Sequence, residues 1–367
     1  MNKYRIIHLT TVHTRYDTRI FLKQCCSLAK KKEYEIILFV ADGLGEEKIN
    51  NVRIIDLGKP KNKIKRLFFA PFKAIRELKK LNPHIIHIHD PELIFSGIFF
   101  RFLNIRVIYD VHEDYPKQVM SRYYLPFFLR KSLSIIITIL DYLLLWKFSF
   151  IITATDSIKK SLKNKSNKVM TINNYPIIEK MIVNKKEKNS LVYVGLISEI
   201  RGIKELIRSL TNSDKISKLN LIGNFSNEKL YNDVKKYDGW KKVKYFGKLE
   251  RNEVKKILSK SEVGVVLFHP EPNHVESQPN KLYEYMESGL PVIISNFKKW
   301  KNIINKYKCG VTVDPLNIND ISTAYDKIFD NKNLLLKMSI NSRKSIENNF
   351  SWKNEEMNLF KIYKKIL

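Results

Sequence analysis

Short β-branched runs alternate with stretches of helical spacing along this chain, and the alternation runs through twice. Residues 4–9, 35–40, 85–89, 107–109 and 150–153 are apolar and of strand length. The intervals between them, such as 20–31 and 67–81, carry apolar residues three and four apart. Apolar strands separated by helices predict βαβ units, because a strand buried on both faces needs helices to cover it. After Tyr175-Pro176 a polar, lysine-rich interval, 179–190, reads as an interdomain linker. The pattern then restarts with 191–194, 218–222, 243–246, 263–267, 292–295 and 311–313. Two consecutive doubly wound α/β domains are expected, with ligands at the carboxyl ends of the strands, between the domains. A length of 367 residues suits two such domains.

Charge narrows the partners. The formal net charge is +29. A Lys-, Asn- and Ile-rich vocabulary inflates lysine through coding bias alone, but clustered cations also gain energy at an anionic membrane. A nucleic-acid binder is basic too, yet no recognition-helix, zinc-finger or RNA-binding aromatic signature accompanies the charge. Bias combined with membrane attraction is the reading taken, and no nucleic-acid partner is expected. The segment 61–80 interleaves lysines with Phe68, Phe69 and Phe72. It reads equally as an interfacial amphipathic helix and as a surface helix whose phenylalanines pack inward. Segment 132–152 is apolar but contains Asp141 and Lys147, so a buried or interfacial helix is expected rather than a span. The chain starts at once with a strand and shows no secretory signal, and Cys25, Cys26 and Cys309 make no disulfide framework. A reducing, cytoplasmic setting is expected.

Glu276 and Glu284 stand eight residues apart. Between them Pro279-Asn280 marks a helix start. After them Gly289 with Pro291 marks its end, and 292–295 a buried strand. The first carboxylate therefore lies on the loop entering a short helix and the second within its early turns. Backbone N–H groups at such a start attract an anion such as a diphosphate. A carboxylate beside it accepts hydrogen bonds from sugar hydroxyls.

This stretch resembles the E-x7-E signature of the retaining family 4 (group 1) glycosyltransferases. The GT-B fold of that family consists of two Rossmann-like doubly wound parallel-sheet domains facing a central cleft. The resemblance implies an acceptor-binding domain over 1–178, rejoined by a terminal helix at 354–367, and a nucleotide-sugar domain over 190–350. It assigns the donor sugar to Glu276 and the ribose hydroxyls to Glu284, with Asn280, Lys281 and Leu282 also on the donor. The run Gly195-Leu196 to Arg201-Gly202 resembles the family's Gly-Arg…Lys-Gly pair around the diphosphate. Here Leu196 stands where the first arginine is expected, and Arg201 takes the place of the lysine. Gly247, Lys248 and Leu249 match where family members grip the base with backbone groups.

In the first half, 108–116 ends a strand in a polar cluster, and His112 matches the family's active-site histidine. Asp110, Glu113 and Asp114 either orient that histidine, bind acceptor hydroxyls, or cap and turn the chain. His87-Ile88-His89 has the spacing of a strand-borne metal pair. The further His and Asp ligands a barrel hydrolase would add are missing, so both are expected to line the cleft and no metal is expected. Arg15, Asp17 and Arg19, in a first turn without the G-x-G-x-x-G fingerprint, are assigned to the acceptor side.

The expected activity is retaining transfer of a hexose or N-acetylhexosamine from a nucleotide sugar, a UDP-sugar first. The acceptor is a polyprenyl-linked or polysaccharide glycan, as in bacterial O-antigen or capsule assembly. No cofactor is expected, and the enzyme would be peripheral on the cytoplasmic face of the inner membrane. Two rivals stand beside it: a nucleotide-sugar epimerase of the same fold, and a basic nucleic-acid-binding protein indifferent to Glu276→Ala.

Overall fold

The structure is a computed structural model that describes all residues except 1–2, 63–72, 79, 123, 163–165, 167 and 183. It divides into two compact units, Met1–Asn174 with Trp352–Leu367, and Tyr175–Ser351. Most of the basic segment 61–80, with Phe68, Phe69 and Phe72, lies outside the described residues.

The first unit holds β1 (Tyr4–Leu9), β2 (Tyr34–Val40), β3 (Glu47–Ile49), β4 (Val52–Asp56), β5 (Ile85–Ile88), β6 (Arg106–Val111), β7 (Phe150–Thr153) and β8 (Val169–Thr171). They form one sheet in the order β3-β4-β2-β1-β5-β6-β7-β8. Only β3 runs antiparallel, joined to β4 through Asn50 and Asn51, both at positive φ, as a tight primed hairpin turn requires. One face of the sheet packs Ile7, Leu9, Ile37, Phe39, Ile86 and Ile88 under its helices. The order reverses between β1 and β5, so the ends of these two strands form the switch point where such sheets place their functional groups.

The second unit holds β9 (Ser190–Val194), β10 (Lys218–Ile222), β11 (Val243–Tyr245), β12 (Val263–Val266), β13 (Val292–Ser295) and β14 (Gly310–Val313). All are parallel, in the order β11-β10-β9-β12-β13-β14. Apolar clusters cover both faces, one around Leu191, Tyr193 and Val265, the other around Val192, Val266 and Ile294. The switch point lies between β9 and β12.

The interval read as a linker is instead part of the second unit. Asn184 donates to Ser259 Oγ (2.7 Å), Lys186 Nζ to the Ser261 carbonyl (2.8 Å), and the Asn189 N–H to Glu262 (2.6 Å). Its lysines look solvated in sequence, but their neighbours tie the backbone down. Segment 132–152 is likewise not one helix but three elements: the later part of helix Phe127–Leu144, the 3-10 turn Leu145–Lys147 and the start of β7.

Helix Trp352–Ile366 belongs to the first unit and closes over the polar side of β1 and β5. Trp352 Nε1 donates to Ser27 Oγ (2.9 Å), and Asn173 donates to Glu355 (2.9 Å). Tyr363 Oη lies 2.7 Å from His87 Nδ1 and 3.2 Å from His8 Nε2. His8 and His87 are register partners across the two strands. With His89 they are wholly buried, not lining a cleft as the sequence predicts.

Burial holds His8 and His87 well below the usual histidine range and brings His89 down to about 3. All three are neutral when folded and must charge in the unfolded chain as pH falls below about 6.5. The unfolded state then binds more protons, so stability is lost as pH falls. His13 acts oppositely: burial disfavours its charge, but Asp90 outweighs this and raises it. Its contribution grows as pH falls toward the unfolded pKa of about 6.5 and is constant below it, so it offsets part of the loss at first and none of it nearer pH 5. Denaturant unfolding of the first unit should weaken toward pH 5 with a slope approaching, on the order of, 4 kcal/mol per pH unit. An unfolding midpoint unchanged between pH 7.5 and pH 5 contradicts this.

Candidate active site

In the second unit, β9 delivers the chain to Gly195 at the switch point, with φ at +124°. A Cβ there would sit 3.1 Å from Lys281 Nζ and 3.8 Å from an Arg201 guanidinium nitrogen. The missing side chain therefore leaves bare backbone where two cations converge.

Lys281 comes from helix Asn280–Glu287, which starts after Pro279 without a side-chain cap. The helix stops in a Schellman arrangement, with Leu290 N–H on the Tyr285 carbonyl (2.9 Å) and Gly289 N–H on Met286 (3.0 Å). Leu282 and Met286 bury in the core. Tyr285 lies over Gly264 of β12, where a Cβ would approach its ring to 2.3 Å. Its hydroxyl accepts the Val194 N–H at 2.8 Å. This bond pins the helix above the end of β9. Lys281 precedes Tyr285 by one turn and so points to the same place.

The Lys281 ammonium is 3.9 Å from the centroid of the Tyr193 ring and 5.3 Å from that of Phe268. It is buried and has no hydrogen-bond partner among the described residues. Burial first, then the Arg201 charge, hold it well below the ordinary lysine range, with Glu284 opposing. Arg201 donates to the Leu196 carbonyl at 3.3 Å and stacks over Phe268 at 5.4 Å. The second cation beside Gly195 is thus a helix lysine, on a chain whose loop carries Leu196 instead of an arginine.

Glu284 is the one exposed side chain in 281–286, three residues from Lys281. Glu276 ends the short helix Pro272–Val275 and pairs with Lys299 (2.7 Å). Lys299 also reaches the Glu276 carbonyl (3.2 Å), and Trp300 Nε1 donates to Ser277 (2.8 Å). Helix Lys298–Tyr307 therefore sets the loop that carries Glu276. Sequence reading missed Lys299 and Trp300, because their partners are backbone carbonyls and one glutamate over twenty residues upstream. Gly247 accepts the Gly223 N–H (2.7 Å) past the end of β11. Lys248 is exposed, and Leu249 is half-buried against the core.

In the first unit Asp110 is the hub. Arg19 grips it bidentately (2.9 and 2.7 Å), and Gln24 donates to it (2.7 Å). His112 Nε2 lies 3.2 Å and His89 Nδ1 3.4 Å from the same carboxylate oxygen. Arg19 and Gln24 share one side because residues Thr18–Cys25 form a π-helix, whose bonding repeat aligns residues five apart. Burial disfavours the Asp110 charge, yet Arg19 and His112 hold its pKa well below the usual range.

Several expectations are corrected here. Arg19 and Asp110 are buried against each other rather than presented to an acceptor. Arg15 is held by Asp42 (2.7 Å) and Glu47 (2.7 Å), and Asp17 caps the π-helix through Arg19 and Ile20 N–H. Of the readings open for Asp114 and Glu113 the capping one holds: Asp114 caps helix Tyr115–Met120, and Glu113 accepts from Gln118. These residues read as ligand-facing because charged side chains rarely bury, and pairing is what lets them do so.

A further pair escaped the sequence. Asp90 accepts from Thr10 Oγ1 (2.9 Å), Thr11 N (2.6 Å) and Val12 N (3.2 Å), and meets His13 Nδ1 at 2.9 Å. Burial opposes its ionisation, but His13 and these donors bring its pKa to about 2. It shapes the first turn in place of glycines.

Among the described residues, His8, His87 and His89, and separately His89, Asp110 and His112, bring ligand atoms together closely enough for a metal. The first trio is chemically apt for zinc. Its nitrogens are largely engaged already: His8 Nδ1 meets His89 Nε2 at 3.0 Å, and Tyr363 bridges His8 and His87. His87 Nε2 and His89 Nδ1 have no hydrogen-bond partner among the described residues.

The second unit begins where a family model for group 1 glycosyl transferases begins to match, over residues 175–345, and a Glycosyltransferase Family 4 model matches 18–175. A search of curated proteins finds no match to the sequence. Among solved structures, sucrose-phosphate synthase from Thermosynechococcus elongatus is similar at a TM-score of 0.81 and 16% identity, covering 99% of each chain. Anabaena Alr3699/HepE, solved with UDP and glucose, is similar at 0.72 and 12% identity, covering 99% of this chain and 100% of that one. WaaG, a glycosyltransferase involved in lipopolysaccharide biosynthesis, is similar at 0.70 and 14% identity, covering 98% and 99%. At such identities these likenesses speak to fold. With the two family models meeting end to end across 18–345, the chain belongs to the family 4, group 1 glycosyltransferases and has their GT-B fold.

Proposed function

We propose that this glycosyltransferase moves a hexosyl or N-acetylhexosaminyl group from a UDP-sugar to a lipid-linked glycan, with retention at the anomeric carbon and without a metal. The acceptor would be presented at an anionic membrane surface, as in assembly of a bacterial surface polysaccharide. The observation that carries the donor half is the buried Lys281 ammonium, without a hydrogen-bond partner among the described residues, beside Gly195 and Arg201. A diphosphate is the anion of matching charge and size. The UDP-glucose complex of Alr3699/HepE, a protein of the same fold, adds support for the uridine nucleotide.

In this reading Lys281, Arg201 and the first N–H groups of helix Asn280–Glu287 stabilise charge on the departing diphosphate. Gly195 leaves room for the phosphates to approach. Glu284 accepts from the ribose hydroxyls, and Gly247, Lys248 and Leu249 meet the base. Glu276, held in place by its pair with Lys299, faces the donor sugar as positive charge develops there. His112, backed by Asp110, is the second catalytic group. Retention follows if the acceptor attacks the face the diphosphate leaves, its proton passing to the leaving oxygen.

Three outcomes are expected. UDP and a cognate UDP-sugar raise the melting temperature, and GDP- and TDP-sugars do so less. At a hundredfold excess over Kd the stabilisation is about 2.7 kcal/mol. By calorimetry, Lys281→Met and Glu284→Ala each weaken UDP binding at least tenfold, whereas Glu276→Ala leaves it within about threefold and lowers turnover at least a hundredfold. Product NMR shows the donor's anomeric configuration preserved. Full transfer activity in both glutamate variants overturns the site. Conversion of the UDP-sugar without acceptor points to an epimerase instead.

A further inference from the structure

Helix Phe127–Leu144 carries its amphipathicity the wrong way round for a helix covering a sheet. Ile135, Ile136, Ile139, Tyr142, Leu143 and Trp146 are each 50 to 62% exposed. Their spacing of one, three and four residues places them along one face, and that face points away from the protein. Asp141, on the opposite face, is buried. At the helix start Phe127 and Phe128 are exposed as well. Helix Ile94–Phe102 also exposes apolar side chains, Phe95 at 65% and Phe102 at 75%. On the Asp141 side of the helix a separate groove of about 260 Å³, lined by Ile94, Phe95, Val119, Ile137, Leu140 and Asp141, lies between it and its neighbours. Single exposed apolar side chains need no explanation, but a contiguous face of this extent marks an interaction surface.

Charge identifies the occupant. From Lys117 to Lys147 the only acidic residue is the buried Asp141, while Arg122 and Lys131 are exposed and Lys147 lies over the Trp146 ring at 4.3 Å. A second copy set on this face about a two-fold axis would meet the same cations with no exposed carboxylate to answer them. An anionic bilayer supplies apolar chains for the isoleucines and phosphates for the rim. Among the described residues no helix is long and apolar enough to cross a membrane. The helix suits an in-plane position, with Trp146, Tyr142 and Phe127 at headgroup depth and the cations at its two ends reaching the lipid phosphates.

We propose that the exposed apolar face of helix Phe127–Leu144 is the face by which this glycosyltransferase lies on an anionic lipid bilayer. The proposal deepens the membrane part of the functional reading and rests on it for its purpose, but its test does not depend on turnover.

The test is flotation of the full chain with phosphatidylcholine vesicles containing or lacking phosphatidylglycerol. Wild type should float with the anionic vesicles and be released by high salt. Trp146 emission, isolated by subtracting Trp146→Phe, should shift to the blue and be quenched by brominated lipid. Ile136→Glu combined with Ile139→Glu should reduce vesicle binding at least tenfold, and Arg122→Glu with Lys131→Glu should abolish the preference for phosphatidylglycerol. All should keep the wild-type melting temperature and UDP affinity. Equal flotation of the Ile136→Glu/Ile139→Glu variant overturns the proposal. So does sedimentation of the wild type as a dimer that this variant dissociates, which would assign the face to a second copy. Loss of UDP binding by Lys281→Met alongside unchanged flotation separates failure of either reading from the other.

Discussion

A lysine ammonium buried with no counter-ion is costly, and a second cation beside it makes the cost larger. Lys281 and Arg201 stand in that relation at the end of β9, and much of the second unit is arranged to keep them there. The Tyr285 hydroxyl on the Val194 N–H fixes the helix, the lack of a side chain at Gly264 seats the Tyr285 ring, and the bare backbone at Gly195 admits the Lys281 ammonium. The faces of Tyr193 and Phe268 give the ammonium partial compensation through their ring quadrupoles. Full compensation needs an anion. The strain is local and directional, which is what a pre-organised leaving-group site requires.

The first unit solves the opposite problem. Its buried charges are already matched: Asp110 with Arg19, Asp90 with His13 and four backbone or hydroxyl donors. The imidazoles behind them are neutral and bonded to one another and to Tyr363. A continuous line of side chains thus runs from the terminal helix through His8 and His89 to Asp110 and His112. It ends with His112 Nε2 facing the Asp110 carboxylate at 3.2 Å. One unit presents unmatched charge and the other holds a matched scaffold, a division that fits a donor site on the former and an orienting role on the latter.

How far the sequence could be read follows from the same physics. Strands 150–153, 218–222 and 292–295 coincide with β7, β10 and β13, since a strand buried on both faces has an apolar run and no other way to satisfy it. β3 and β8 are three-residue edge strands with little burial, so no periodicity announces them. The π-helix at Thr18–Cys25 looks like an ordinary helix in sequence, and only its partners show why a wider turn is present. That Glu276 lies just before a short helix, and Lys281 and Glu284 in its early turns, was legible because glycine, proline and charge in one short stretch limit the backbone. The inward jobs of Arg15, Arg19 and Asp110 were not, because a buried ion pair joins residues far apart in sequence. The outward face of Phe127–Leu144 was hidden for a related reason: apolar spacing tells which face is apolar, not which way it points.

The central claim, that the second unit is built around a cation awaiting a diphosphate, has a direct readout. An anion at Gly195 must raise the depressed pKa of Lys281, so binding takes up a proton wherever the pH lies between the free and bound values. Calorimetric titration of UDP into the protein, in buffers of different ionisation enthalpy from about pH 7 to pH 10, measures that uptake. Uptake that rises and falls across the range and vanishes in Lys281→Met is the predicted result. UDP binding with no buffer dependence at any pH, at an affinity the Lys281→Met variant retains, would contradict it.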